Sequence, residues 1–498
     1  MFRNTTTRLV QIAQPEGVEL NAYLVLKRKP VRIDQKLKTL RKYVQQYSLG
    51  WKKRAELADL LYATGNLEQA IAEYRLVIER QPQFLDVRLK LAKLLHLMGR
   101  EAKAIEAYED ALLLTGNLAT RYHINGWIAI CKGDKSEAIR AFESATSLEP
   151  NHAAHWLALG QVQMEVENAV AAGRAFDAIL SLNPNDTVAL ISSYDASQAV
   201  GNLGEAGKRL SRAKELAPDD YQVLKRLAEF RCRMRLVWDE PGKQTKQIVS
   251  AALKLAPDGA EAQTLLSDYY VSRGEWAKGI EMLQQFTEQH PNNPNGWYYY
   301  GWGLFQKGDN QRAALAMLNA YRLYSTDCEI YRGLCEILPK AGRLEELRPL
   351  LEEMLVRFPE RWSIWATAGR VLVEQFQEIE RGCDVSFKGT QLQPQWPDAW
   401  FRYGRVLALA LKHREAVEAL EQGWEWLEEG WISLSVPAAV WLFESYRVLG
   451  DEAASRKWLE EAGERTSQLM EFDPVRACYW QERALSGLGD FGLWTKES

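Results

Sequence analysis

A set of marks returns every 34 residues from about residue 51 onward, and a period of that length restricts the fold more than any other feature of the chain. In 294–327, PNGWYYYGWGLFQKGDNQRAALAMLNAYRLYSTD, Trp297 is followed at three-residue steps by Tyr300 with Gly301 and then by Leu304. Gly308 interrupts the run, and Ala313 and Ala320 follow seven apart. Leu57, Gly65, Ala70, Tyr74 and Pro82 keep the frame in 51–84; Trp156, Leu159, Gly160, Ala172, Phe176 and Pro184 keep it in 153–186. Each period has room for two antiparallel helices of about 12–15 residues joined by a turn at the glycine. One such pair cannot bury its apolar face alone, so neighbours must stack, and the array lengthens without a central core.

Composition excludes several other classes. Hydrophobic residues make up 47% and charged residues 26%, as in a folded protein. The six cysteines are scattered with no CxxC pair, so neither a zinc framework nor a dithiol motif is signalled, and reduced thiols fit a cytoplasmic setting. The N-terminal MFRNTTTRLVQIAQPEG lacks the apolar region of a signal peptide, and no apolar run is long enough to span a bilayer. No P-loop, GxSxG, HExxH or GxGxxG in a strand–turn–helix context occurs, so the expectation is no enzyme and no cofactor. His152 and His155 lie three apart at an expected helix start, a spacing that suits two metal ligands; placed after Pro150-Asn151, they read more simply as turn residues, and no metal is expected. Cys335 falls on a small-residue packing position and reads as core.

Three segments follow. Residues 1–50 form a basic N-terminal arm and a capping helix, in which Ile33, Leu37, Leu40 and Val44 have helical spacing and Pro30 opposes a helix running through it. Residues 1–54 carry 13 Lys or Arg against 3 acids although the whole chain is at −4. The repeat array covers 51–469, with insertions near 236–243 and 429–435. Within it the second helix of 362–395 looks poor, with Gly382, Ser386 and Gly389. Residues 470–498 supply a C-terminal capping helix and a tail.

The order W-x2-L-G-x2-Y, then Ala, a large apolar residue, Ala and a Pro-like stop resembles the tetratricopeptide repeat family over about twelve units in 51–490. The resemblance implies an all-α fold, an α-solenoid of stacked helix-turn-helix units in a right-handed superhelix. It also implies a concave groove lined by the first helix of each unit, where peptides or partner domains bind. The ninth positions of the units read Asp59, Lys93, Trp127, Gln161, Asp195, Glu229, Asp268, Trp302, Glu336, Arg370, Arg405 and Glu444. None is Asn, so the chain departs from the carboxylate clamp with which some family members grip chaperone C-termini.

On the groove positions that the resemblance implies, 294–327 places Tyr298, Tyr299, Trp302 and Phe305, four aromatics that the frame does not require. Large aromatics concentrate binding energy at interfaces, so these four are the expected partner-binding residues; the alternative is that they pack against neighbouring units. Trp127, with His123 on the same helix face, is a second candidate. Lys225, Arg226 and Arg233 add a basic groove segment, unless acids such as Asp195, Glu229, Glu261 and Asp268 neutralise it. The expected function is a non-catalytic scaffold or adaptor that binds a protein or peptide partner. Two further classes stay open: a regulatory or sensory module controlling a separate effector enzyme, and a binder of nucleic acid or an acidic surface through the basic arm. The acidic balance beyond residue 54 argues against nucleic acid.

Overall fold

The computed structural model describes residues 30–47, 49–63, 66–233, 241–255 and 260–486. The basic arm up to residue 29 and most of the 236–243 insertion lie outside the described residues. Among those described, twenty-six helices and no strands are formed. Twenty-four of them make twelve consecutive pairs, and helices Pro30–Gln46 and Pro474–Ser486 flank the array. The chain is an all-α solenoid of stacked helix pairs.

Local chemistry sets the pairs. Several second helices start on a side-chain cap: Asp134 accepts from the Glu137 N–H, Asp309 from Arg312 and Asp451 from Ala454. Each such cap is worth about 1 kcal/mol. First helices end on a left-handed residue, as at Gly308 (φ 91°) and Gly342 (φ 68°). Three turns place a side chain in the same slot: Glu167, Gln377 and Leu411, at φ 60°, 57° and 61°. Within a pair, a small residue on the first helix meets a large one on the second. A Cβ on Gly160 would stand 2.3 Å from the Phe176 ring, which is why that site carries no side chain.

Neighbouring pairs are locked by a proline–tryptophan bond that repeats along the chain. Trp156 Nε1 donates to the Pro150 carbonyl at 2.7 Å, Trp297 to Pro291 at 2.7 Å, Trp365 to Pro359 at 2.9 Å and Trp400 to Pro394 at 2.8 Å. The spacing is always six residues, so the indole ties the first helix of one pair to the closing turn of the pair before it.

The chain divides into two compact units. One comprises Arg209–Arg226 with the described residues up to Ala196. One core cluster in it joins Leu37, Leu40 and Val44 of helix Pro30–Gln46 to Leu57, Leu61, Tyr74 and Tyr108. The other comprises Ser197–Lys208 with the described residues from Leu227 onward. One core cluster in it runs through Tyr298, Leu304, Met317, Tyr331, Leu334, Met354 and Leu372. Cys335, 2% exposed, lies in this core with its Sγ 3.9 Å from Met354 Sδ.

One expectation of local structure needs correction. Residues 379–392 form a full helix, not a poor one. Gly382, Ser386 and Gly389 are small because helix Trp362–Phe376 lies almost against this backbone: a Cβ on Gly369 would meet the Gly382 carbonyl oxygen at 2.5 Å. The extra residues near 429–435 are partly helical. From Ile432 they lengthen the first helix of the last pair to Ile432–Leu449, 18 residues, with Ser433, Leu434 and Ser435 buried.

Candidate partner-binding site

The aromatic run on helix Pro294–Lys307 divides into two parts. Tyr298 and Tyr299 are 5% and 7% exposed and belong to the core cluster. They are therefore not surplus to packing, as the frame alone suggested. Helix geometry turns positions 298 and 299 against the neighbouring elements, and their rings meet edge to face at 5.3 Å. Trp302 and Phe305 are half-buried and pack on the outside of that cluster, edge to face at 5.7 Å. Trp302 also meets Tyr298 edge-on at 6.4 Å. Gly333 on the next first helix makes room for Met317, since a Cβ there would stand 2.8 Å from the Met317 methyl, and it lies beside the Trp302 indole at an ordinary contact distance of 3.6 Å. Trp302 Nε1 is buried without an acceptor among the described residues.

In the basic segment of helix Tyr221–Arg233, Arg226 is neutralised. Arg226 donates Nε and Nη2 to the two Asp195 carboxylate oxygens at 2.8 and 2.6 Å, and Nη1 to Gln222 Oε1 at 2.6 Å. Both partners are nearly buried, at 12% and 11% exposure, so the guanidinium is committed to structure. Lys225 is half-buried. The Arg233 side chain lies outside the described residues.

The same pairing recurs at other ninth positions. Asp59 accepts from Tyr74 at 2.7 Å and from Lys90 at 3.1 Å. Glu336 is bound by Arg370 at 2.5 Å, and Arg370 also reaches Glu374 at 2.7 Å. Glu444 is held by Arg405 at 3.3 Å and by Arg483 at 2.7 Å. Charges along this stripe thus link successive pairs and leave few open contacts.

Trp127 anchors the other group. It is half-buried, and its Nε1–H donates to His123 Nε2 at 3.1 Å. An indole nitrogen only donates, so His123 Nε2 carries the lone pair and its hydrogen sits on Nδ1. That hydrogen points at His155 Nδ1, 3.1 Å away, which must accept. His155 therefore carries its hydrogen on Nε2 and donates it to Glu149 at 3.3 Å, while Asn117 donates to the same carboxylate at 2.7 Å. Both rings must be neutral for this chain to close. Burial, then the His155 and Lys93 charges, push His123 down to about 3; burial, then His152, lowers His155.

Two clusters have the residue types of a metal site. Donor atoms of Glu149, His152 and His155 lie within 4.8 Å of one another. Both His155 nitrogens are engaged as just described, and His152 stacks on His155 at 4.3 Å and 19°, so the two rings do not converge on an ion. His96, Glu101 and Cys131 lie within the same limit. There His96 Nδ1–H donates to Glu101 at 2.8 Å, and burial beside that carboxylate pushes the Cys131 thiol up to about 12, so it stays protonated. In both clusters the donors satisfy one another.

One residue escaped attention in the sequence. Lys93, the ninth position of 85–118, is half-buried with its Nζ 5.3 Å from the centre of the Trp127 ring. The signal was present in the ninth-position row, where Lys93 directly precedes Trp127.

One family model agrees with this architecture. The family model described as Tetratricopeptide repeat matches residues 56–117, 126–187 and 264–327. No curated protein matches the chain. Among solved structures, yeast Tom70 is similar over 82% of this chain and 98% of its own, at 14% identity and a TM-score of 0.42. The Cut9-Hcn1 hetero-tetramer of the APC/C is similar over 91% and 94%, at 14% and 0.37. The MamA protein is similar over 34% and 92%, at 26% and 0.24. Three segments of the chain thus match the tetratricopeptide repeat family, and its twelve helix pairs recur at close to 34 residues.

Proposed function

We propose that this protein is a non-catalytic scaffold that holds a peptide or a partner domain against the first helices of its repeats, with Trp302 and Phe305 as the main anchor. The observation that carries the reading is the division of the aromatic run: Tyr298 and Tyr299 are used up by the core, while Trp302 and Phe305 keep exposed ring surface on the same helix. A partly exposed Trp–Phe pair beside a packed core is the type of surface in which binding energy concentrates. The orphaned Trp302 Nε1–H supports it, since a buried unpaired donor costs about 1–3 kcal/mol and such costs gather at functional sites. Trp362, Trp396 and Trp441 share that orphaned donor, but all three are more than nine-tenths buried.

Ordinary side chains explain the remaining reactive groups. The histidines near Trp127 are neutral links in a hydrogen-bond chain, and the Cys335 thiol is pushed up to about 12 by burial. Among the described residues no helix is long and apolar enough to cross a membrane. The test is affinity capture on the full chain followed by mass spectrometry, comparing wild type with Trp302→Ala plus Phe305→Ala. Proteins retained by the wild type and lost from the double variant, at equal helicity, support the anchor; an unchanged set of retained proteins rejects it.

A further inference from the structure

We infer that Lys93 and Trp127 form a second binding site, which takes the carboxylate of an acidic side chain on a bound peptide. The inference rests on the reading of the first-helix stripe as a partner surface. Three described ninth positions hold cations: Lys93, Arg370 and Arg405. Arg370 is held by Glu336 and Glu374, and Arg405 by Glu444. Lys93 has no carboxylate within salt-bridge reach among the described residues; its one contact of this kind is the Trp127 ring. The acids nearby in the chain are already engaged: Asp59 with Lys90 and Tyr74, Glu101 with His96.

A half-buried ammonium without a counter-ion is a costly arrangement. Burial lowers the Lys93 ammonium below its ordinary value, so the protein itself does not compensate the charge. An incoming carboxylate would compensate it and gain a charge-assisted hydrogen bond. The rest of the wall suits the same ligand. Trp127 offers an apolar face beside Lys93, and its N–H is already given to His123, so it presents no competing polar demand. His123 is neutral and does not add a second positive charge. One cation against one indole matches a single carboxylate with an aliphatic stem. A polyphosphate chain needs several cations, and this chain carries −4.

The experiment uses the immobilised full chain and three fluorescein-labelled synthetic nonapeptide pools, randomised except for a fixed central Glu, Gln or Lys. Wild type should retain the Glu pool about tenfold above the Gln pool, and retain the Lys pool least. Lys93→Met should bring the three pools level, and Lys93→Arg should keep the order. Circular dichroism confirms that each variant is folded. Equal retention of the Glu and Gln pools by wild type, or a Glu preference that survives Lys93→Met, overturns the Lys93 site and leaves the scaffold reading standing. Retention of no pool by wild type counts against both.

Discussion

Arg226 grips Asp195 through two parallel hydrogen bonds of 2.8 and 2.6 Å, joining a first helix to the first helix of the preceding pair across 31 residues of sequence. A cation that looks like a binding residue in the sequence is thereby a structural one. Asp195→Asn would leave the guanidinium nearly buried and underpaired, and should cost about 3 kcal/mol. Replacing both partners, Asp195→Leu with Arg226→Met, should cost clearly less than the sum of the single changes. Hydrogen exchange across 187–226 measures this, because a repeat array need not unfold in one step.

The contact between Gly160 and Phe176 leaves no room for a methyl group. Gly160→Ala should destabilise the array by about 1–3 kcal/mol through overpacking. Phe176→Leu in the same chain should recover part of the loss. Urea denaturation followed by circular dichroism reads both.

Leu411 occupies a left-handed turn at φ 61° and is 80% exposed. A side chain there pays about 1 kcal/mol that glycine does not. Leu411→Gly should therefore stabilise, offset in part by the extra freedom glycine gives the unfolded chain. The reverse change, Gly308→Ala at φ 91°, should destabilise by about 1 kcal/mol. Thermal melts of the two variants should shift in opposite directions.

The histidine chain gives the stability a pH dependence of known sign. His123 is held at about 3 in the fold against 6.5 for an ordinary histidine. Between those values the unfolded chain binds a proton that the folded chain refuses, so the stability is full above pH 6.5 and is lost as pH falls toward 3. The loss should approach about 1.4 kcal/mol per pH unit well below 6.5. His123→Gln, which keeps an acceptor for Trp127, should flatten the dependence between pH 7 and 5. Denaturation curves at the two pH values test it.

The repeat frame was legible because it rests on residues with one job each. Gly160 must be small, Phe176 large, and Trp156 must reach Pro150, so period alone locates the helix pairs. Three features were hidden for physical reasons. Gly382 and Gly389 look like helix breakers in isolation, and only the approach of helix Trp362–Phe376 shows why they are needed. The inner and outer aromatics of 298–305 look alike in sequence, and burial separates them only when the neighbouring repeats are in place. Lys93 is one cation among many in the chain, and its significance lies in where Asp59 and Glu101 spend their charge.

The most direct test of the scaffold reading is the dissociation constant of the captured partner, measured by isothermal titration for wild type and Trp302→Ala. Truncating a central tryptophan anchor should cost at least about 2 kcal/mol, roughly a thirtyfold rise in Kd, with the fold unchanged. A Kd within twofold of wild type would contradict the assignment of Trp302 as the anchor.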